Sequence, residues 1–298
     1  MIDLIGKKNI FLGFSGVIVI LSIILISVFG LRSGIDLKGG TQWEFAFKSN
    51  QNILESQVND ALKKVNPSAD ATIKKTDANT FLIRLGEVSE ETHQAYLTAL
   101  KNIDEVAEKN FSNIGPTIGG ELRRKAFWAI GFVMLAISIY IGFAFRKVSE
   151  PVKSWKYGLI TLITLFHDVI IPAGLLAFLG FSQNIEIDTN FIVALLVVMG
   201  FSVHDTIVVF DRIRENLLLR RGKKIDLKEV VNASVNETIA RSINTSLTLV
   251  LVLLALIILG PSSLFYFILT ILVGTIFGTY SSIFVASPLL YLWGKSAK

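Results

Sequence analysis

One histidine and two aspartates lie in or against an apolar stretch at residues 200–216, "GFSVHDTIVVFDRIREN". They are His204, Asp205 and Asp211. An ionisable group at membrane depth costs about 2.5–3.5 kcal/mol and usually faces a bundle interior or an ion path. Asp205 precedes Asp211 by six residues, which is about 9 Å along a helix. We interpret Asp211 and Arg212 as a solvated pair at the membrane surface, and Asp205 as a candidate proton carrier.

The partner of Asp205 must come from another span, because no lysine or arginine lies within one turn of it. One candidate pair is His167 and Asp168, in the middle of an earlier apolar run and followed by Pro172, which frees a backbone carbonyl. His204 lies about 100° round the helix from Asp205. It is either a titrating neighbour of Asp205 or a satisfied core histidine, and the sequence leaves both interpretations open.

A second candidate partner lies in "TIARSINTSLTLV", where polar residues recur at helical spacing. Offsets of three, four and seven residues place them on one helix face; they are Arg241, Asn244, Thr245 and Thr248. A carboxylate that is alternately free and paired with an arginine binds and releases a proton, because burial favours its neutral form and a nearby cation favours its charged form. Arg241 is equally well explained as a cation that anchors its helix at the membrane surface.

The composition places the chain among integral membrane proteins. Of its 298 residues, 52% are hydrophobic and 18% are charged, whereas soluble domains carry about 25% charged residues. The absence of cysteine excludes disulfides and cysteine-ligated metals, and the three histidines are not at ligand spacing, so no metal site is expected. The net charge is +5, and the placement of the charges along the sequence is better explained by membrane topology than by nucleic-acid binding.

Six apolar runs are long enough to cross a bilayer, which takes about 20 residues. They are predicted at 10–31, 126–145, 155–181, 190–210, 242–260 and 264–293. The loops after the second and fourth runs are rich in lysine and arginine, whereas the short loops after the third and fifth runs carry none. The positive-inside rule then places both termini in the cytoplasm.

The predicted organisation has three parts. Residues 1–31 form the cytoplasmic N-terminus and first transmembrane helix, and residues 32–125 form an extracytoplasmic domain. Residues 126–298 form a five-helix bundle with a cytoplasmic basic loop at 212–241 and a C-terminal tail. The pattern within 32–125 is strand, helix, hairpin, helix, strand, which is typical of a small α+β, ferredoxin-like fold. Alternation in the first strand places Trp43, Phe45 and Phe47 on one face, and the hairpin is predicted to turn at "TDANT". The first helix carries apolar residues at helical spacing, which are Ile53, Leu54, Val58, Leu62 and Val65.

Two glycine patterns complete the set of candidate residues. Gly274 and Gly278 form a small-xxx-small pair in the last span, which favours close helix packing. A further group follows the first span and consists of Gly34, Asp36, Gly39 and Gly40. It predicts a tight turn rather than a phosphate-binding loop, because the sequence GxxxxGK[ST] is absent.

Four motifs together resemble the SecF family, the smaller half of the bacterial SecDF membrane complex. They are "GIDLKGGT", "IGPTIGGELRRKA", "VHDTIVVFDRIREN" and "NETIARSINTSLT". The resemblance covers nearly the whole chain and implies six transmembrane helices with the small domain between the first two. It also implies that the family's intramembrane acid corresponds to Asp205 and its arginine to Arg241. The sequence departs from the family at His204, where relatives usually carry asparagine.

The resemblance further implies a function and partners. SecF is similar to one half of an RND-type transporter and uses the proton gradient, with protons as coupling ion and no other cofactor, to promote preprotein export across the bacterial cytoplasmic membrane. The implied partners are a SecD-like subunit, the Sec channel (SecY, SecE and SecG), YajC, YidC, the unfolded preprotein and the lipid bilayer. Half of a small-molecule efflux transporter and a non-conducting translocon scaffold remain the alternatives. An enzyme is not expected, because no nucleophile elbow, P-loop or metal motif is found.

Overall fold

The computed structural model describes residues 3–48, 52–76, 79–146, 152–220 and 226–295. The chain divides into two compact units, one of residues 33–127 and the other of residues 1–32 with 128–298. We refer to them as the small unit and the helical unit. Each is described separately below.

The helices, in chain order, are α1 (Lys8–Phe29), α2 (Ile35–Lys38), α3 (Glu55–Val65), α4 (Glu90–Lys101), α5 (Pro116–Ala144), α6 (Ser154–Gln183), α7 (Thr189–Leu219), α8 (Leu227–Leu259), α9 (Phe265–Ser281) and α10 (Ser287–Lys295). A 3-10 turn at Ser262–Leu264 precedes α9, and a π-helix at Ser282–Ala286 joins α9 to α10. The strands are β1 (Gly40–Phe47), β2 (Thr72–Lys75), β3 (Thr80–Leu85) and β4 (Val106–Ile114).

Within the described residues, six helical segments are long and apolar enough to span a membrane, which confirms the predicted fold class. They are α1, α5, α6, α7, α8 and the composite segment Ser262–Gly294, which contains α9 and all of α10 except its last residue. Helices satisfy all their backbone groups internally and are therefore the form in which such segments cross a bilayer.

The predicted basic loop at 212–241 is wrong, because most of it is helical. Helix α7 continues to Leu219 and α8 already begins at Leu227. Hydropathy falls where a helix leaves the apolar layer, but the backbone keeps its hydrogen bonds there. An ion pair between Arg212 of α7 and Glu237 of α8 joins the two extended ends, and Arg212 also pairs with Glu215 on its own helix.

The sheet of the small unit has the strand order β2-β3-β1-β4, and every neighbouring pair is antiparallel. With α3 and α4 in the connections, this is the split βαβ topology of a ferredoxin-like fold. The alternation predicted for β1 is present, since Trp43, Phe45 and Phe47 are all buried. Leu54 was expected on the buried face of α3, but it precedes the helix and is 62% exposed. Part of the predicted hairpin turn, residues 77–78, lies outside the described residues.

Polar contacts bring the N-terminal residues, the starts of α6 and α8 and the end of α10 together at one end of the helical unit. Asp3 binds Lys228 at 3.1 Å and Asn232 at 2.9 Å, at the start of α8. Lys156, at the start of α6, donates to the carbonyl of Trp293 at 2.6 Å. We call this region, with the ends of α7 and α10, the basic end. It is the end that the positive-inside rule assigns to the cytoplasm.

The attachment of the N-terminus to α8 is expected to depend on pH. The Gly6 backbone N–H, followed by Asn232 and Lys228, holds the pKa of Asp3 below its ordinary value. Because this pKa is lowered, the ionised Asp3 stabilises the attachment at pH values above the ordinary pKa of aspartate. That stabilisation is lost as the pH falls through the pKa of Asp3 in the folded state. The Ile5 amide reports on this attachment, because it donates to Asn232 Oδ1 at 3.0 Å. Asp3→Ala should therefore speed hydrogen exchange of the Ile5 amide at neutral pH, measured by mass spectrometry as the ratio of variant to wild-type rates. That ratio should fall to one below the folded pKa; a ratio independent of pH would contradict this account.

Close glycine contacts set the packing of α9 on α7. A methyl group added at Gly274 would lie 2.3 Å from Val198 Cγ2, and one at Gly278 would lie 2.9 Å from Ser202 Cβ. These distances are shorter than van der Waals contact, so a side chain at either position forces the helices apart.

Gly274→Ala is accordingly expected to destabilise the helical unit by about 1–3 kcal/mol, the usual cost of overpacking. The measurement is thermal unfolding of the detergent-solubilised chain, in which the midpoint should fall. Gly200→Ala is a matched control on α7, because a methyl group there meets nothing within 4 Å. An equal change in the two variants would show that packing at Gly274 is not the cause.

Candidate functional site

The Asp205 carboxylate is buried at the junction of three helices. It lies on α7, and its Oδ2 accepts hydrogen bonds from Ser246 Oγ of α8 at 3.1 Å and from Thr279 Oγ1 of α9 at 3.2 Å. The two hydroxyls also bond to each other. We call these three residues the Asp205 site. Hydroxyl groups both donate and accept, so they serve either the neutral or the charged form of the acid.

Among the residues that the structure describes, no ion pair joins Asp205 to Arg241. Arg241 is exposed on α8 and lines an open cavity of about 490 Å³ near the basic end, together with Asp211 and Glu237. The face of α8 that meets α7 and α9 instead carries Ser246. In this arrangement Arg241 lies on a different face of α8 from Ser246, the residue that contacts the acid. The expected pairing of Arg241 with Asp205 is not made.

The other residues of the Arg241 face are also turned outward. Asn244 and Thr248 are exposed, and Thr245 is half-buried, with its hydroxyl bound to the Arg241 carbonyl at 2.9 Å. The cavity beside Arg241 is lined by α7 as well as α8, so the outward faces of these two helices adjoin. The result is a polar surface on the outside of this chain.

His204 lies on the same outward side. Its side chain is 65% exposed, and its Nδ1 is 4.0 Å from Asp205 Oδ1. The interpretation as a satisfied core histidine is therefore wrong for this chain alone. We define the polar stripe as His204, Arg241, Asn244, Thr245 and Thr248.

His167 and Asp168 do not reach Asp205 but form a separate buried group. His167 Nδ1 lies 2.8 Å from Asp168 Oδ1, and Asp168 Oδ2 accepts from Ser281 Oγ at 2.8 Å and from Ser202 Oγ. We call these four residues the Asp168 site. It joins α6, α7 and α9, as the Asp205 site joins α7, α8 and α9.

Sequence reasoning missed the hydroxyl groups that bind both acids. They are Ser202, Ser246, Thr279 and Ser281. Helical spacing would have indicated some of them, because Ser242 and Ser246 on α8 and Thr275 and Thr279 on α9 recur at four residues. Serine and threonine are common at helix interfaces in membranes, so the pattern alone does not distinguish a site from packing.

The glycines after the first span make a tight turn in the small unit. Gly34 precedes the short helix α2, which contains Asp36, and Gly39 and Gly40 follow it with φ of 85° and 133°. A methyl group at Gly39 would lie 2.5 Å from Pro116 Cα. Two of the four motifs quoted above, "GIDLKGGT" and "IGPTIGGELRRKA", therefore meet in the fold. Within the described residues, no group of three histidine or acidic side chains is arranged to hold a metal ion.

Six membrane-length helices, two buried acids bound by hydroxyls and a ferredoxin-like domain define a polytopic membrane protein of the transporter class. A family model described as "Protein export membrane protein SecD/SecF, C-terminal" matches residues 95–296. The protein translocase subunit SecF of Thermobaculum terrenum is 40% identical, over 98% of this chain and 94% of the relative. The chain belongs to the SecF family of protein translocase subunits.

Two longer proteins contain a similar half. The protein translocase subunit SecDF of Bacillus subtilis is 31% identical over 99% of this chain and 39% of the relative. The crystal structure of SecDF from Thermus thermophilus, described as a translocon-associated membrane protein, matches with a TM-score of 0.81 at 32% identity, again over 99% of this chain and 39% of the other. This chain thus spans about two fifths of each SecDF protein.

Proposed function

We propose that this chain is an accessory subunit of the Sec protein translocase that uses the proton motive force to promote preprotein export. The observation that carries the proposal is the Asp205 site, a buried carboxylate held by two hydroxyls with no lysine or arginine bound to it in the described structure. A buried acid without a fixed cation is stable only when its charge is relieved, which a bound proton does.

Arg241 completes the proposed cycle in a second arrangement of the helices. In the present arrangement it lies near the basic end, beside an open cavity of about 490 Å³ that also contains Asp211 and Glu237. A long arginine side chain reaches a group on a neighbouring helix when its own helix rotates toward that group. If α8 turns toward α7, the guanidinium approaches Asp205 and favours release of the proton. His204, 4.0 Å from the carboxylate and exposed, is the candidate group for proton exchange.

The polar stripe supports a second membrane subunit as partner. Polar and charged groups at membrane depth do not face lipid, yet the stripe is turned away from the chain's own bundle. SecDF proteins carry additional chain beyond the 39% that this chain matches. We propose that a SecD-like subunit covers the stripe, that the complex acts beside the Sec channel in the bacterial cytoplasmic membrane, and that both termini are cytoplasmic. YajC and YidC are further proposed neighbours.

The experiment that tests the function is preprotein export into membrane vesicles that contain this chain and its SecD-like partner. Export should be stimulated by a proton gradient and should fall to the unstimulated level when an ionophore collapses it. Vesicles without this chain are the control, and they should show no response to the ionophore at fixed ATP. Equal stimulation with and without the chain would contradict the proposal.

The efflux alternative has less support. A small-molecule transporter of this type needs a substrate pocket in a larger outer domain, whereas the small unit spans residues 33–127 with a single four-stranded sheet. The family assignment also names protein translocation rather than efflux.

A further inference from the structure

Asp168 has no exposed surface and takes three contacts from three helices. His167 of α6 lies 2.8 Å from Oδ1, while Ser281 of α9 and Ser202 of α7 donate to Oδ2. Ser281 does not need Asp168 as a hydrogen-bond partner for packing, because its Oγ also lies 3.0 Å from the Gly278 carbonyl of its own helix.

In the described structure, the ion-pair partner of Asp168 is its neighbour His167. Along the surrounding helices, the lysine and arginine residues nearest in sequence are Lys8 at the start of α1, Lys156 near the start of α6, Arg212 on α7 and Lys295 at the end of α10. One other titratable group adjoins the pair: the Tyr280 ring of α9 stacks on the His167 ring, with the ring centroids 6.4 Å apart. The other buried acid, Asp205 of α7, is bound by hydroxyls of α8 and α9 and not by this pair.

A buried pair of this kind is stable when it is neutral as a whole. Two arrangements achieve this: a neutral acid with a neutral imidazole, and a carboxylate with an imidazolium. Each of them holds one proton more than the carboxylate with a neutral imidazole. The pair therefore binds one titratable proton, whichever of the two residues carries it.

The His167 ring has a second nitrogen, Nε2, that does not contact Asp168. Its side chain is 4% exposed, and its Nε2 is buried without a hydrogen-bond partner in the described structure. A buried ring nitrogen left unpaired is costly, so a histidine that served packing alone would be expected to satisfy both nitrogens. Nε2 is the group at which the pair can gain or lose its proton without breaking the contact of Nδ1 with Asp168.

The Asp168 and Asp205 sites share two elements. Ser202 and Asp205 both lie on α7, and Thr279 and Ser281 both lie on α9. Between the sites, Thr206 Oγ1 and Ser282 Oγ are 2.8 Å apart, and Ser282 begins the π-helix. Short π segments are frequent at functional sites because they let a helix change register locally. A movement of α9 against α7 therefore changes the surroundings of both acids.

We propose that His167 and Asp168 form a second buried proton-binding site, separate from Asp205 and coupled to it through α7 and α9. The ligand of this site is a proton, and the proposal rests on the proposed proton-coupled function. In this account the chain holds two protons at different positions in the membrane, and the helix movement that empties one site alters the other.

The test is nitrogen-15 NMR of the histidine rings in the full chain, reconstituted in lipid nanodiscs. The chain contains only three histidines, His93, His167 and His204, so single substitutions assign every ring signal. Ring nitrogen shifts report the protonation state and tautomer directly. The His167 signals are expected to change with pH, because the pair binds one proton, and Asp168→Asn is expected to displace the midpoint of that change.

Two further variants keep the test decisive. Ser281→Ala removes one donor to Asp168 and should displace the His167 midpoint in a chain that keeps the pair, which covers the case in which Asp168→Asn does not fold. Thr164→Val is the matched control, because its buried hydroxyl donates to α6 carbonyls, and it should leave the midpoint unchanged. His167 signals that do not change with pH would overturn the proposal. Export is not measured, so this outcome is independent of the vesicle assay of the proposed function.

Discussion

Asp205→Asn is expected to abolish the gradient-dependent part of preprotein export while leaving the ATP-driven part unchanged. Asparagine has nearly the shape of aspartate and still accepts hydrogen bonds from Ser246 and Thr279, which are 3.1 Å and 3.2 Å from the acid. It cannot bind and release a proton in this range of pH. The measurement is export into vesicles that contain the variant and its SecD-like partner, with and without a proton gradient.

Asp211→Asn is the matched control for this experiment. It makes the same chemical change on the same helix, but Asp211 is exposed and paired with Arg214 at 3.0 Å near the basic end. Exposed ion pairs contribute about 0–1 kcal/mol, so the control should behave as wild type. Full stimulation by the gradient in Asp205→Asn vesicles would show that this acid is not the proton carrier.

A single cysteine at Thr248 is expected to cross-link efficiently to the SecD-like partner. The chain contains no native cysteine, so an introduced thiol is the only one it carries. Thr248 is exposed within the polar stripe, where a lipid-facing position would be costly for its neighbours Asn244 and Arg241. The measurement is oxidative cross-linking in native membranes between Thr248→Cys and single cysteines in the partner's spans, read as a shifted band on a gel.

Phe132→Cys supplies the comparison for the cross-linking experiment. Phe132 lies on α5 and is 70% exposed on an apolar face, which is suited to lipid. It should give little product under the same conditions. Equal cross-linking at Phe132 and Thr248 would indicate that the stripe is not the covered surface, and product at Phe132 alone would place the partner against α5.

The membrane helices and the small domain were predictable because their signals are periodic and local. Long apolar runs gave all six spans, and alternation gave the buried aromatic residues Trp43, Phe45 and Phe47 of β1. The ends of α7 and α8 were not predictable from hydropathy, because a helix that leaves the membrane loses its apolar character without losing its backbone hydrogen bonds. Cross-helix ion pairs such as Arg212 with Glu237 stabilise those ends and are tertiary in origin.

The buried acids were predictable, whereas their partners were not. A carboxylate in an apolar run is visible in the sequence, since its cost must be relieved somewhere. Which residue relieves it depends on how each helix is rotated in the bundle. On α8, Arg241 and Ser246 lie on different faces, and the packing of α8 on α7 and α9 turns the serine inward. No local pattern sets that rotation, which follows from tertiary contacts of α8 such as the packing of Leu253 against Ala194 of α7 and Ile268 of α9.

The rotation of each helix in the bundle also explains why His204 and His167 have different surroundings. Both stand directly before an aspartate in the sequence, yet His204 is 65% exposed and His167 is 4% exposed. Neighbours on a helix differ by about 100° in direction, so the surroundings of each histidine follow from the helix that it faces. The sequence identifies the two His-Asp pairs, and the tertiary structure assigns them to different surfaces.

The most direct test of the central claim is proton flux through the chain itself. Liposomes that contain this chain and its SecD-like partner are loaded with a pH-sensitive dye and given an imposed pH gradient, with no preprotein or ATP. We predict a proton flux with the wild type and with Asp211→Asn, and none above empty liposomes with Asp205→Asn. A flux in Asp205→Asn liposomes equal to that of the wild type would contradict the assignment of Asp205 as proton carrier.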